Sequence, residues 1–173
     1  MASVFFSYSH EDELYRDQLE KHLATLKRQG LIDAWHDRRI LAGTDFAQEI
    51  DAKLEQANVV LLLVSASFLA SDYCYGVEMK RALERHDAGE ARVIPVIVRS
   101  CDWHSAPFGQ LLAAPRDGKA ITTWSNLDEA YADVARQVRE VVERLPGAGR
   151  GPRPSPARSG VNYRARLRRQ GVD

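Results

Sequence analysis

Between Asn58 and Arg85 the chain passes from an unbroken apolar run, Val59-Val60-Leu61-Leu62-Leu63-Val64, through a serine-rich turn into a helical pattern. A run this short and β-branched reads as a strand buried on both faces, the usual state of a central strand in a parallel sheet. The turn runs from Ser65 to Ser71. The helix after it places Met79, Ala82 and Leu83 on an inward stripe and carries a lone carboxylate, Glu78.

The same reading extends both ways. Val4-Phe5-Phe6 predicts a first strand, and Ser9 to Asp12 reads as a capping box with Asp12 in place of the commoner Glu. Tyr15, Leu19, His22, Leu23 and Leu26 then recur at helical spacing, and Gly30 suits the stop. Residues 31–37 predict a short, more polar strand at an edge, followed by a loop over 38–45 that pivots on Gly43. Phe46, Ile50, Leu54 and Ala57 form the stripe of a second helix, capped by Thr44 or Asp45.

Downstream, residues 92–98 predict a fourth strand, whose Pro95 lacks an N–H and so favours an edge or a bulge. Breakers at Pro107, Gly109, Pro115 and Gly118 make 100–119 irregular. Ala120 to Trp124 predicts a fifth strand. Leu127, Tyr131, Val134, Val138, Val141 and Leu145 give the stripe of a last helix, which Pro146 ends.

Strands alternating with helices imply an α/β fold: a flavodoxin-like, doubly wound sheet of five parallel strands, order 2-1-3-4-5, flanked by helices. Ligands of such sheets bind outside the carboxyl ends of the strands, at the point where the strand order reverses. That point lies between strands one and three. The crevice is therefore expected to be floored by Ser7-Tyr8-Ser9 and by residues 65–71, with loop 38–45 beside it.

Composition changes this picture little except at the C-terminus. At 173 residues the chain is expected to hold one domain, over 1–146. Seven of its 24 basic residues but only one of its 24 acidic residues lie in 147–173, so the body carries about −6 and this tail about +6. The tail is rich in Gly, Pro, Arg and Ser and is expected to be disordered, with a short basic helix conceivable over 162–170. It holds a single aromatic residue, Tyr163, so nucleic-acid binding is not expected. Two cysteines, Cys74 and Cys101, read as reduced thiols of a cytoplasmic protein. Met1-Ala2-Ser3 leads straight into a strand, so no leader is expected, and no apolar run approaches the ~20 residues of a membrane span.

Several chemistries are excluded by pattern. There is no GxxxxGK[ST] loop, no GxGxxG, no GxSxG elbow, and no metal spacing among the five histidines. A phospho-acceptor domain of this fold needs an Asp ending strand three, where Ser65 stands. What remains is a crevice of hydroxyls and aromatics with Glu78. One carboxylate is too few for ordinary glycoside hydrolysis, which needs a second to protonate the leaving group. It suffices where the leaving group departs as a neutral molecule, as nicotinamide does from NAD. The protein then has to orient the ribose and stabilise an oxocarbenium-like centre. The plain alternative is a solvated helical Glu paired with Arg81, three residues on.

The motifs resemble those of a bacterial Toll/interleukin-1 receptor (TIR) domain. They are Phe5-Phe6-Ser7-Tyr8-Ser9, Trp35-His36-Asp37, Gly43-Thr44-Asp45, and Ser65-x-x-Phe68-x-x-Ser71-x-Tyr73-Cys74-x-x-x-Glu78-Met79, in an order spanning residues 3–145. The resemblance implies an NAD+ nucleosidase that releases nicotinamide and ADP-ribose or a cyclic ADP-ribose, with NAD+ as substrate, no cofactor and no metal. Glu78 would be catalytic. Phe6, Ser7, Tyr8, Trp35, Asp37, Arg39, Leu41, Tyr73 and Cys74 would bind substrate. Arg38, Ile40, Gly43 and Asp45 would form a loop that contacts partners.

The partners implied are further copies of the chain and other TIR or sensor proteins, in anti-phage defence or signalling. The family's substrate-stacking aromatic stands four residues before the glutamate. Here that position is Cys74, and Tyr73 stands five before. Either the turn holds one extra residue or Tyr73 reaches round from the helix start. A non-catalytic TIR interaction module and a nucleoside-processing transferase are the alternatives from other functional classes.

Overall fold

Six consecutive apolar side chains with no polar face can be satisfied only in the middle of a layered structure, and that is where β3 (Val59–Val64) lies, all six residues fully buried. The computed structural model describes residues 1–36 and 52–146. β1 (Ala2–Ser7), β2 (Ile32–His36) and β4 (Arg92–Ile97) join β3 in a parallel sheet of order β2-β1-β3-β4. β1 pairs β3 from Val4 opposite Val59 to Ser7 opposite Leu62, so the carboxyl ends of the two strands meet at one edge.

Strand alternation sorts β1 between two core layers. Val4, Phe6 and the neighbouring Tyr8 join Leu19, Leu23 and Leu26 of α1 (Glu13–Arg28) and Val134, Val138 and Val142 of α5 (Leu127–Glu143). Phe5 faces the other way, to Leu54 and Ala57 at the end of α2, described over residues 52–56, and to Phe68, Cys74, Met79 and Ala82. The last four lie on α3 (Ala66–Ala70) and on the helical segment that ends as α4 (Lys80–Asp87). Asn126 caps α5; of the expected stripe Tyr131, Val134 and Val138 are buried, Val141 and Leu145 are half-buried, and Leu127 is exposed.

The fifth strand is not formed. Residues 121–123 make a single 3-10 turn. The Thr123 amide and hydroxyl both donate to the Ala120 carbonyl, and Trp124 Nε1 donates to the Lys119 carbonyl at 3.0 Å. Most of the hydrogen-bonding capacity that a strand would spend on a neighbour is used locally, and one backbone bond, Thr122 N to Val98 O at 3.2 Å, reaches the segment that follows β4. The outer edge of β4 is instead covered at one point, where Ala114 N donates to Pro95 O and Ile97 N donates to Ala114 O, both at 2.8 Å. Pro95 thus sits on an edge strand with its missing N–H directed away from β3.

The capping box also resolves differently. Ser9 starts a short 3-10 turn over His10–Asp12 without a side-chain cap, and the Asp12 carboxylate is turned inward to other partners. The serine-rich turn is itself helical. Ser65 caps α3, its Oγ accepting from Phe68 N at 3.1 Å.

Candidate functional site

The helix after β3 does not start as an α-helix. Cys74–Met79 is one turn of π-helix, which passes into α4 at Lys80. A π-turn holds one more residue per hydrogen-bonded ring than an α-turn and is frequent at functional sites. Ser71 leads into it: Cys74 N donates to Ser71 Oγ at 3.2 Å and Tyr75 N donates to Ser71 O at 3.0 Å. The two positions left open by the sequence now separate. Cys74 is fully buried in the α4-side core, whereas Tyr73 is half-buried against that core. The π-turn gives the segment between Tyr73 and Glu78 one more residue than an α-turn would hold.

Glu78, on the same turn, is fully buried. The surface pair with Arg81 is not made; Arg81 binds Glu55 through two nitrogens and Glu84 at 3.1 Å. A fully buried glutamate is uncommon, because the ionised carboxylate loses its hydration. Ser7 is buried at the carboxyl end of β1 and by alternation shares the sheet face of Phe5, the face on which Cys74 and Met79 pack. Its Oγ has no hydrogen-bond partner among the described residues.

Beside this turn lies a polar network that joins three segments at the carboxyl edge of the sheet. Asp12, fully buried, accepts from Ser65 Oγ on one oxygen and from Arg99 Nε at 2.9 Å on the other. Arg99 Nη2 donates to Ser67 Oγ at 2.8 Å, and Ser67 Oγ donates to Glu11 at 2.8 Å. The hydrogen bond it donates to Asp12 holds the Arg99 guanidinium above its ordinary range, with burial acting against it. The sequence pattern points to neither charge. Asp12 reads as part of a capping box, and the one signal for Arg99 is that it follows the carboxyl end of β4, where ligand and positioning groups of such sheets collect.

The other expected site residues fall as follows. Phe6 is fully buried on the α1 side, 6.2 Å from the Trp35 ring and with the Arg16 guanidinium 4.7 Å above it. Tyr8 is buried in that same layer and Trp35 is half-buried against it. Ser7, Tyr73, Cys74 and Glu78 are associated with the opposite face; Phe6, Tyr8 and Trp35 are not. Asp37, Arg38, Arg39, Ile40, Leu41, Gly43 and Asp45 lie outside the described residues, as do Phe46, Ile50 and the tail over 147–173.

Two open depressions lie elsewhere. One, of about 1000 Å3, is at the opposite edge of the sheet, lined by Met1, Ala2, Arg92 and the end of α5, and none of the residues just described borders it. The other runs along the outer face of α1 to Trp35. Among the described residues, no cluster of His, Cys, Asp and Glu is placed to hold a metal ion, and no helix is long and apolar enough to cross a membrane.

Comparison with known proteins agrees with this architecture. A family model described as TIR domain matches residues 4–140. "Uncharacterized protein y4lF" of Sinorhizobium fredii (strain NBRC 101917 / NGR234) is 59% identical over 159 residues, covering 92% of this chain and 48% of that protein. The chain therefore spans about half the length of that curated relative. Among solved structures, the TIR domain of the Toll-related Receptor TRR-2 from Hydra magnipapillata superposes with a TM-score of 0.56 at 18% identity, covering 82% of this chain and 98% of that one. At that identity the likeness is one of fold.

Proposed function

The chain belongs to the TIR domain family, and from that premise we propose that it is an NAD+ nucleosidase with Glu78 as its catalytic residue. The observation that carries the reading is the placing of Glu78. It is a fully buried carboxylate on a π-turn at the carboxyl end of the central strand, on the sheet face that Ser7 shares. Arg81, three residues further along the helix, is engaged by Glu55 and Glu84 instead.

In the proposed reaction the nicotinamide–ribose bond breaks with its electron pair moving to the already cationic ring, which leaves as neutral nicotinamide. Positive charge develops at the ribose anomeric carbon. A desolvated carboxylate close to that carbon stabilises the charge far more than an exposed one, because little solvent screens it. The same carboxylate can accept a ribose hydroxyl and so fix the sugar. Water, or an adenine nitrogen of the same molecule, then captures the cation, giving ADP-ribose or a cyclic isomer. Tyr73, half-buried at the start of the π-turn, is the aromatic group in this reading, and Cys74 belongs to the core. Self-association of the chain is part of the proposal, with residues 38–45 as the contacting loop.

The test is to incubate concentrated protein with NAD+ and follow nicotinamide release, wild type beside Glu78→Gln. The expected result is release by the wild type and a loss of at least about 100-fold in the variant, the scale of removing a principal electrostatic stabiliser. Unchanged release in Glu78→Gln would remove that residue from its role. No release at any protein concentration would leave the interaction module as the better reading, and release from free nucleosides but not NAD+ would favour the transferase.

A further inference from the structure

The carboxyl edge of the sheet holds a charge that the proposed reaction does not use. Asp12 is fully buried, and its two oxygens are committed to two different strand ends: one accepts Ser65 Oγ from the end of β3, the other accepts Arg99 Nε, 2.9 Å away, from the end of β4. Asp12 itself follows β1. The chain of bonds continues inward. Ser65 Oγ accepts Phe68 N at the head of α3, and Ser71, at the close of α3, holds Cys74 N and Tyr75 N at the head of the π-turn. It also continues outward, from Arg99 Nη2 to Ser67 and from Ser67 to Glu11.

Only Asp12 of this pair is buried, Arg99 being half-exposed, and such a pair is weak evidence for stability. The hydration lost by the carboxylate offsets much of the attraction. What directional bonds supply is a fixed geometry. A carboxylate with one oxygen on each of two loops cannot let either loop shift without breaking a buried bond. We propose that Asp12, clamped between Arg99 and Ser65, is a positioning residue that sets the turn carrying Tyr73 and Glu78. It touches no reacting atom in this assignment and acts through Ser65, α3 and Ser71. The assignment rests on the reading of that turn as the site, but its structural half stands apart from the identity of the substrate.

The test compares Asp12→Asn with Asp133→Asn. Asp133 is another buried carboxylate, holding Arg116 N at 2.7 Å and Gln137 Nε2 at 2.8 Å rather than the partners of Asp12, and it controls for the general cost of disturbing a buried acid. Two readouts are taken on each folded variant: kcat and KM for NAD+ cleavage, and amide hydrogen exchange by residue. Asp12→Asn is expected to lower kcat by about 10- to 100-fold with KM changed by less than about threefold, since small misplacements of a reacting group cost that much. Exchange at Phe68 and Cys74 is expected to quicken at least about tenfold beyond any change at Leu61 and Leu63 of β3. Asp133→Asn is expected to do neither.

If Asp12→Asn fails to fold, Arg99→Lys and Arg99→Met take its place. Lysine keeps the charge but cannot hold Asp12 and Ser67 together through separate nitrogens, so it is expected to fall between wild type and Met in both readouts. The proposal is overturned if exchange at Phe68 and Cys74 moves no more than at Leu61 and Leu63, or if the two aspartate variants behave alike. Absence of turnover in the wild type would sink the nucleosidase reading alone, and the exchange pattern would still decide the role of Asp12.

Discussion

Tyr73 and Cys74 are neighbours in sequence and opposites in environment. Cys74 is fully buried among Phe5, Phe68 and Met79, whereas Tyr73 is half-buried against the same core. Substitutions should separate them cleanly. Cys74→Ser puts a hydroxyl into an apolar layer and is expected to cost about 1–3 kcal/mol of stability, read by urea denaturation, with kcat/KM per folded molecule close to wild type. Tyr73→Ala is expected to keep the fold and lower kcat/KM for NAD+ at least about tenfold, with Tyr73→Phe close to wild type, because a stacked ring contributes through its face. The second thiol, Cys101, is pushed up from its ordinary range mainly by burial. Burial thus disfavours the thiolate form of Cys101.

At the scale of elements, the π-turn decides what the spacing of Tyr73 and Glu78 means. Five residues apart on an α-helix, the two would be out of phase; on a π-turn, with its i to i+5 bonding, they are one turn apart. Gly76, inside the turn, has open space where a Cβ would point. Gly76→Ala is therefore expected to raise stability by about 0.5–1 kcal/mol through helix propensity, without changing turnover.

Deleting Gly76 shortens the segment to α-helical spacing and is expected to keep both fold and cleavage within about tenfold. Inserting an alanine after Gly76 rotates Tyr73 away from Glu78 and is expected to cost about 100-fold, a misplacement effect. Thermal denaturation and nicotinamide release check all three variants. The missing fifth strand belongs to this scale as well. Ala120-Ile121-Thr122-Thr123-Trp124 has the composition of a strand, but its threonine and tryptophan side chains bond their own backbone, and Ala114 already meets the open edge of β4.

Across the whole molecule, buried polar groups tie helices to the sheet where apolar packing alone would leave their ends loose. Arg85, buried on α4, donates to the Leu54 and Ala57 carbonyls at 2.6 and 2.7 Å and so closes the C-terminus of α2. On the opposite side, Tyr131 of α5 is buried, and burial pushes its phenol up from 10.0 to about 12. The folded-state value is the higher one. The stabilisation is thus fully present below about pH 10 and is lost as pH rises towards 12. A gap of that size corresponds to roughly 2–3 kcal/mol at most. Alkaline unfolding followed by circular dichroism is expected to begin above pH 10, and Tyr131→Phe is expected to remove much of that sensitivity.

The α/β class, the order β2-β1-β3-β4, the central place of β3 and the candidate Glu78 were all legible in the chain, because each depends on a local pattern. A two-faced apolar run can only be central, a proline without an N–H goes to an edge, and a run of motifs fixes a family. The burial of Glu78, the π-turn on which it lies, and the partners of Asp12 were not legible. They depend on which segments the fold brings together. Asp12 meets Ser65 and Arg99 across separations of 53 and 87 residues, and nothing local distinguishes a carboxylate that caps its own helix from one turned inward to other strands. Sequence thus determined the frame and singled out Glu78 as a candidate; tertiary contact alone decided that Glu78 is buried and which strand ends Asp12 meets.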